Sequence, residues 1–147
     1  MSYFYTNKNT PFIAPCEKME KIREVHFKGT PKSPCTRFNV NFQHGTDNDP
    51  KDVDLHFDVR FNFGSCQRVV LCNDRRDGVW RNEEREKFTF PFSENEEFYI
   101  KIELYNNCYR VLVGEVELLV FDKRKGAKPV DTFKIDGDVH IKSLKLI

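Results

Sequence analysis

Several things are missing from this chain, and each absence excludes something. No apolar run approaches the roughly 20 residues that a helix needs to cross a bilayer, so membrane insertion is not expected. The first residues, Met1-Ser2-Tyr3-Phe4-Tyr5-Thr6-Asn7-Lys8, lack the basic-then-apolar plan of a secretory leader. No Asn-x-Ser/Thr acceptor occurs, as expected of a chain that avoids the secretory route. Charge of one sign is absent too: 24 Lys and Arg stand against 23 Asp and Glu, a formal net charge of +1. Bulk electrostatics therefore calls for neither nucleic acid nor an anionic membrane. The five cysteines, Cys16, Cys35, Cys66, Cys72 and Cys108, are odd in number, irregularly spaced and without a Cys-x-x-Cys pair. Reduced thiols are expected rather than a disulfide framework. His26, His44, His56 and His140 are scattered, which argues against a structural zinc site. No window sustains the i, i+3, i+4, i+7 apolar pattern of a long helix.

What is present is aromatic and alternating. Fourteen Phe and five Tyr suit a sheet-rich protein, and 147 residues suffice for one domain with a real core. Residues 1 to 10 are polar and unpatterned and are expected to form a loose tail, leaving 11 to 147 as the domain. Ile22 to Phe27 alternates weakly, and Gly29-Thr30-Pro31-Lys32-Ser33-Pro34 predicts a turn. In Arg37 to Gln43, Phe38, Val40 and Phe42 face one way, while Arg37, Asn39, Asn41 and Gln43 face the other. Gly45 to Asp52 reads as a loop. Further strands are predicted at Gln67 to Asn73, with Asn73 to Gly78 as the turn, and at Val79 to Arg85. Others follow at Phe88 to Phe92, Phe98 to Leu104, Tyr109 to Val113 and Val116 to Phe121. Phe133 to Ile141 reads as strand, turn, strand, and Leu144 and Leu146 close the core. Short strands separated by Asn, Asp and Gly predict an all-β antiparallel sandwich.

The clearest segment is Val53 to Phe61. Val53, Leu55, Phe57, Val59 and Phe61 alternate with Asp54, His56, Asp58 and Arg60, which puts one face in a core. His56, Asp58 and Arg60 then form a row with roughly 6.5–7 Å between neighbours, the scale of a sugar ring. Alone, such a row is most simply a solvated outer face. If the following strands pair in order, however, Asn73, Trp80, Glu83 and Arg85 join it on one sheet face. That set holds donors, acceptors and one flat aromatic, with neither a nucleophile–base pair nor a metal cluster. It suits a ligand covered in hydroxyls with one apolar face.

These residues resemble a known family. His56-x-Asp58-x-Arg60, Val70-Leu71-Cys72-Asn73 and Trp80-Arg81-Asn82-Glu83-Glu84-Arg85 are similar to the carbohydrate-binding signature of galectins, the β-galactoside-binding animal lectins. Phe90-Pro91-Phe92, Val116 to Arg124 and Ile135-Asp136-Gly137-Asp138-Val139 extend the likeness over most of the chain. The resemblance implies a jelly-roll-like sandwich of eleven or twelve strands, with the sugar on its concave sheet. It implies that His56, Asp58 and Arg60 hold the axial 4-hydroxyl of galactose and that Asn73 and Glu83 hold the 6-hydroxyl. Arg60, Glu83 and Arg85 would reach the next sugar, and Trp80 would lie on the apolar face of galactose. Implied partners are β-galactoside-containing glycans of glycoproteins or glycolipids, bound without metal or other cofactor. A homodimer is common among single-domain members. A cytoplasmic location with leaderless export is also an implication of the family alone.

Three positions depart from the pattern. Asp58 stands where Asn is usual, Val59 where Pro is usual, and Arg81 where Gly is common. Val59 continues the apolar face. Asp58 cannot donate as an amide does and sits one step from Arg60, where an ion pair would compete with sugar. The expectation is a weakened or shifted galactoside preference; the alternative is a galectin fold that has drifted into protein binding. Asp58 and Glu83 are the only candidates for a glycosidase pair, but their flanking arginines would depress a carboxyl pKa, which is wrong for a general acid. Asp47, Asp49, Asp52 and Asp54 lack the spacing of a calcium loop.

Overall fold

The computed structural model describes residues 2–86 and 89–147. In chain order the strands are β1 (Tyr3–Lys8), β2 (Phe12–Pro15), β3 (Glu24–Pro31), β4 (Arg37–Gln43), β5 (Val53–Phe63) and β6 (Cys66–Arg76). They continue with β7 (Val79–Trp80), β8 (Glu84–Glu86), β9 (Phe98–Leu104), β10 (Cys108–Val113), β11 (Val116–Asp122), β12 (Thr132–Gly137) and β13 (Val139–Leu146). One 3-10 turn, Met19–Lys21, interrupts them. Two antiparallel sheets result. One runs β1-β13-β3-β9-β10-β11; the other runs β2-β12-β4-β5-β6-β7, with β8 also paired to β6.

The alternation read from the sequence decides what lies between the sheets. Leu55, Phe57 and Val59 of β5 are fully buried and join Phe38, Val40 and Phe42 of β4 in the core. Aromatic contacts tie the layers together. Phe38 of one sheet stacks on Phe98 of the other at 5.2 Å, and Phe98 meets Phe27 edge-on at 5.0 Å. Each such ring contributes on the order of 1.5–3 kcal/mol through burial, with a further gain of about 0.5–1.5 kcal/mol from ring geometry.

Several local expectations change. Tyr3–Lys8 is not a loose tail: it is the edge strand β1, paired with β13 from Tyr3↔Leu146 to Lys8↔Ile141. Tyr5 packs edge-on against Phe12 at 5.0 Å, so two alternate tyrosines supply the inward face that a search for aliphatic alternation misses. β3 runs on through Gly29, Thr30 and Pro31, where a turn was expected, because β9 and β13 flank it on both sides. β6 likewise continues to Arg76, and the turn shrinks to Asp77-Gly78, both with positive φ (50° and 82°). A two-residue hairpin needs that conformation. The expected strand at 79–85 is broken into β7 and β8. The one expected at 88–92 begins outside the described residues, and 89–92 carry no strand. Asp54 leaves the polar row: at a register shift between Val53 and His56 it accepts from the buried Tyr109 hydroxyl at 2.7 Å.

Gly137 closes β12 against Phe38 of β4. Its φ is +99°, and a Cβ there would sit 2.6 Å from Phe38 Cα and press on the Arg37 carbonyl. Gly137→Ala should therefore cost at least about 2 kcal/mol through strain and overpacking. Urea denaturation at neutral pH measures it.

Candidate functional site

The cross-strand register assembles a polar surface on the outer face of the second sheet. Directly opposed residues share a face. Asn41 of β4, His56 of β5 and Asn73 of β6 form one row, and Arg37 and Arg60 form another four residues along. β7 then places Trp80 opposite Arg75. His56, Arg60, Asn73, Trp80 and Glu83 line one hollow of about 350 Å³, together with Arg37, Leu71 and Arg81. Trp80 is 43% exposed. Its ring lies 4.7 Å from that of His56 and under the Arg75 guanidinium at 5.3 Å, which fixes the indole as a wall of the hollow.

Each polar arm is aimed by a neighbour. His56 Nδ1 lies 2.6 Å from Asn41 Oδ1, and Asn41 Nδ2 reaches Gln43 Oε1 at 3.4 Å. Gln43 in turn donates to the carbonyls of Gly45 and Asp47. This relay makes His56 Nδ1 a donor and leaves Nε2 as the acceptor. Arg60 donates through Nε to Asp58 at 2.8 Å and through Nη1 to Cys66 Sγ at 3.4 Å, and its Nη2 lies 3.7 Å from Glu83. Two N–H groups remain for a ligand. Glu83 accepts from Arg85 at 3.0 Å. Asn73 keeps one free amide N–H after donating to the Arg81 carbonyl at 2.9 Å.

Two expected site residues sit elsewhere. Asp58 belongs to the polar row but is fully covered, so no ligand reaches it while Arg60 stays in place. Arg85 stands behind Glu83 and also donates to Cys66 Sγ at 3.5 Å, outside the hollow. Arg37 and Cys66 were not foreseen. Arg37 had a usable signal, since it begins the polar face of the strand beside β5. Cys66 had none: its sulfur lies between Arg60 and Arg85, whose hydrogen bonds and charge hold its thiol below the usual range despite burial. A larger hollow of about 570 Å³ lies near Tyr105, Tyr109 and Gly126. Its buried carboxylate, Asp54, is already engaged by Tyr109 and Arg76, so it offers little free chemistry.

An exposed indole beside oriented donors and acceptors can in chemical terms take up a hydroxyl-rich ligand with one apolar face. The galactoside-binding lectin family matches residues 11–146. This chain belongs to that family. Galectin-3 of Cricetulus longicaudatus is 32% identical over 120 residues, 81% of this chain and 46% of that protein. The chain thus spans less than half the length of that relative. The 16 kDa beta-galactoside-binding lectin of Gallus gallus is 32% identical over 121 residues, 82% of this chain and 86% of that protein. The crystal structure of Caenorhabditis elegans galectin LEC-6 shows the same fold: TM-score 0.83 at 24% identity, covering 98% of this chain and 95% of that one. CG-16, a homodimeric agglutinin from chicken liver, gives a TM-score of 0.74 at 27% identity over 100% of both chains.

Within this family member Asp58 is an electrostatic keystone. Arg60 is bonded to it, while Arg37 Nε and His56 Nε2 approach at 3.6 and 3.7 Å. Burial pushes its pKa up, but the Arg37 and Arg60 guanidiniums outweigh burial and hold it below the ordinary 3.8. A carboxyl depressed in the native state stabilises the fold above its unfolded pKa and loses that contribution as pH falls through the native value. Asp58→Asn should therefore be less stable than the parent at pH 7, by about 1–3 kcal/mol. That gap should narrow below pH 3.8. Urea midpoints of both proteins across acid pH give the difference, in which the other carboxylates cancel.

Proposed function

We propose that the hollow beside Trp80 binds β-galactosides, such as the lactose- or N-acetyllactosamine-type ends of glycoprotein and glycolipid glycans, without a metal. The observation that carries this reading is the meeting of one exposed indole with His56, Arg60, Asn73 and Glu83 in a single hollow of about 350 Å³. An axial 4-hydroxyl suits the first pair: His56 Nε2 accepts its proton while Arg60 donates to its oxygen. The exocyclic 6-hydroxyl suits Asn73 as donor and Glu83 as acceptor. The same axial substituent leaves the opposite edge of galactose as a continuous C–H patch for Trp80. Family membership and the likeness to the chicken beta-galactoside-binding lectin support this assignment.

Each hydrogen bond nets about 0.5–1.5 kcal/mol after water is displaced, and the indole adds a similar amount. Such a sum corresponds to millimolar to micromolar binding, roughly −4 to −8 kcal/mol. A homodimer would present two such hollows and gain through multivalency. The edge strand β1, with Phe4 64% exposed, is the surface we assign to a second copy. Hydrolysis does not fit, because Asp58 is covered and Glu83 is held by Arg85.

Because Trp80 is the only tryptophan, its fluorescence reports directly on the site. Lactose should change the emission, and the protein should be retained on immobilised lactose and released by free lactose. Trp80→Ala should weaken binding at least about tenfold, the scale of a lost aromatic contact plus buried area. A folded wild-type chain that ignores the lactose column would point instead to a galectin fold recruited for protein contacts. We also propose that the Asp58–Arg60 pair restrains galactoside affinity, since it engages Arg60 Nε at 2.8 Å. Asp58→Asn should then bind lactose a few-fold more tightly by calorimetry; unchanged affinity refutes the restraint.

A further inference from the structure

Asn73 could offer a ligand either its carbonyl oxygen or its amide nitrogen, and the choice matters to a hydroxyl. Three neighbours make that choice. Arg124 Nη1 donates to Asn73 Oδ1 at 3.1 Å, and the backbone N–H of Asp74 donates to the same oxygen at 2.8 Å. On the other side Asn73 Nδ2 donates to the Arg81 carbonyl. Guanidinium and peptide N–H groups only donate, and a carbonyl only accepts, so the amide cannot be flipped without opposing like groups at three contacts.

Arg124 follows β11, in the sheet that does not carry the hollow. It does not line the hollow. Its second nitrogen, Nη2, donates to the Asn82 carbonyl at 2.6 Å and to Glu84 Oε2 at 2.9 Å, bracketing Glu83 in the chain. Its Nη1 also donates to the fully buried Asp74 at 2.7 Å. One guanidinium therefore fixes both the Asn73 amide and the backbone that presents Glu83.

We infer that Arg124 is a positioning residue: it presents Asn73 as a donor, holds Glu83 opposite, and so makes the site selective for a galactose that carries its 6-hydroxyl. This inference rests on the galactoside reading of the hollow. A merely structural Arg124 would weaken all ligands alike. A positioning Arg124 weakens only those with the hydroxyl that it serves.

The test is calorimetry with methyl β-lactoside and its 6′-deoxy analogue on the wild type, Arg124→Lys and Arg124→Met. The wild type should prefer the parent sugar by about tenfold, as two hydrogen bonds to one hydroxyl suggest. Arg124→Lys keeps a charge beside Asp74 but cannot fork to four partners. It should lose about fivefold toward methyl β-lactoside and less than twofold toward the deoxy sugar, with Arg124→Met showing the larger collapse of preference. Equal losses for both ligands, or an undiminished preference in Arg124→Lys, would overturn the inference. A wild type that binds both sugars equally would overturn it without any variant, even if Arg124→Met fails to fold. A folded wild type that binds neither sugar would remove the galactoside reading and this inference with it.

Discussion

Arg60 reaches the hollow beside Trp80 from a sheet whose neighbouring side chain, Asp58, is a carboxylate sealed from water. A buried carboxylate costs several kcal/mol unless cations surround it, and Arg37 and Arg60 are drawn in around this one. Their positions are a consequence of that demand. Once Arg60 is pinned through Nε, its remaining N–H groups point toward Cys66, Glu83 and the hollow. Glu83 is then engaged by Arg60 on one side and Arg85 on the other.

A second constraint works at the far end of the hollow. Asp74 is also fully buried and is surrounded by Arg76, Arg81 and Arg124. Burial raises its pKa, but hydrogen bonds from Arg81 and Arg124 pull it below the usual carboxylate range. This cluster anchors the gap between β7 and β8, where the chain leaves the β6 ladder and carries Arg81 to Glu83. Two buried carboxylates, Asp58 and Asp74, thus support the two ends of the hollow, with Trp80 and His56 between them. Preorganised arms lose less freedom on binding than mobile ones, which is how a shallow site gains affinity from few contacts.

Much of this was legible beforehand, and the legible part has a common cause. Alternation along Val53 to Phe61 fixes which residues face the core, because a strand has only two faces. The same rule identified β4, β9, β10 and β11 to within a residue or two. It failed where pairing partners override local pattern. Tyr3–Lys8 is a strand because β13 offers it an unpaired edge. Gly29 to Pro31 stay extended because β9 and β13 flank the strand that contains them. Asp54 turns inward because a register shift breaks the period just before His56.

By itself, the sequence determined the all-β class, the core face of β5, and the presence of His56, Arg60, Asn73 and Trp80 on neighbouring strands. These follow from side-chain period and chain order, which are local quantities. Tertiary structure alone decided that Asp58 is covered by its neighbours, and that Arg85 stands behind Glu83. It also brought in Arg37, Cys66 and Arg124. The hydrogen bond from Arg124 to Asn73 spans 51 residues, and whether a carboxylate is covered depends on which cations fold over it. The contact from Arg124 depends on a segment far away in the chain, so no reading of local pattern could have supplied it.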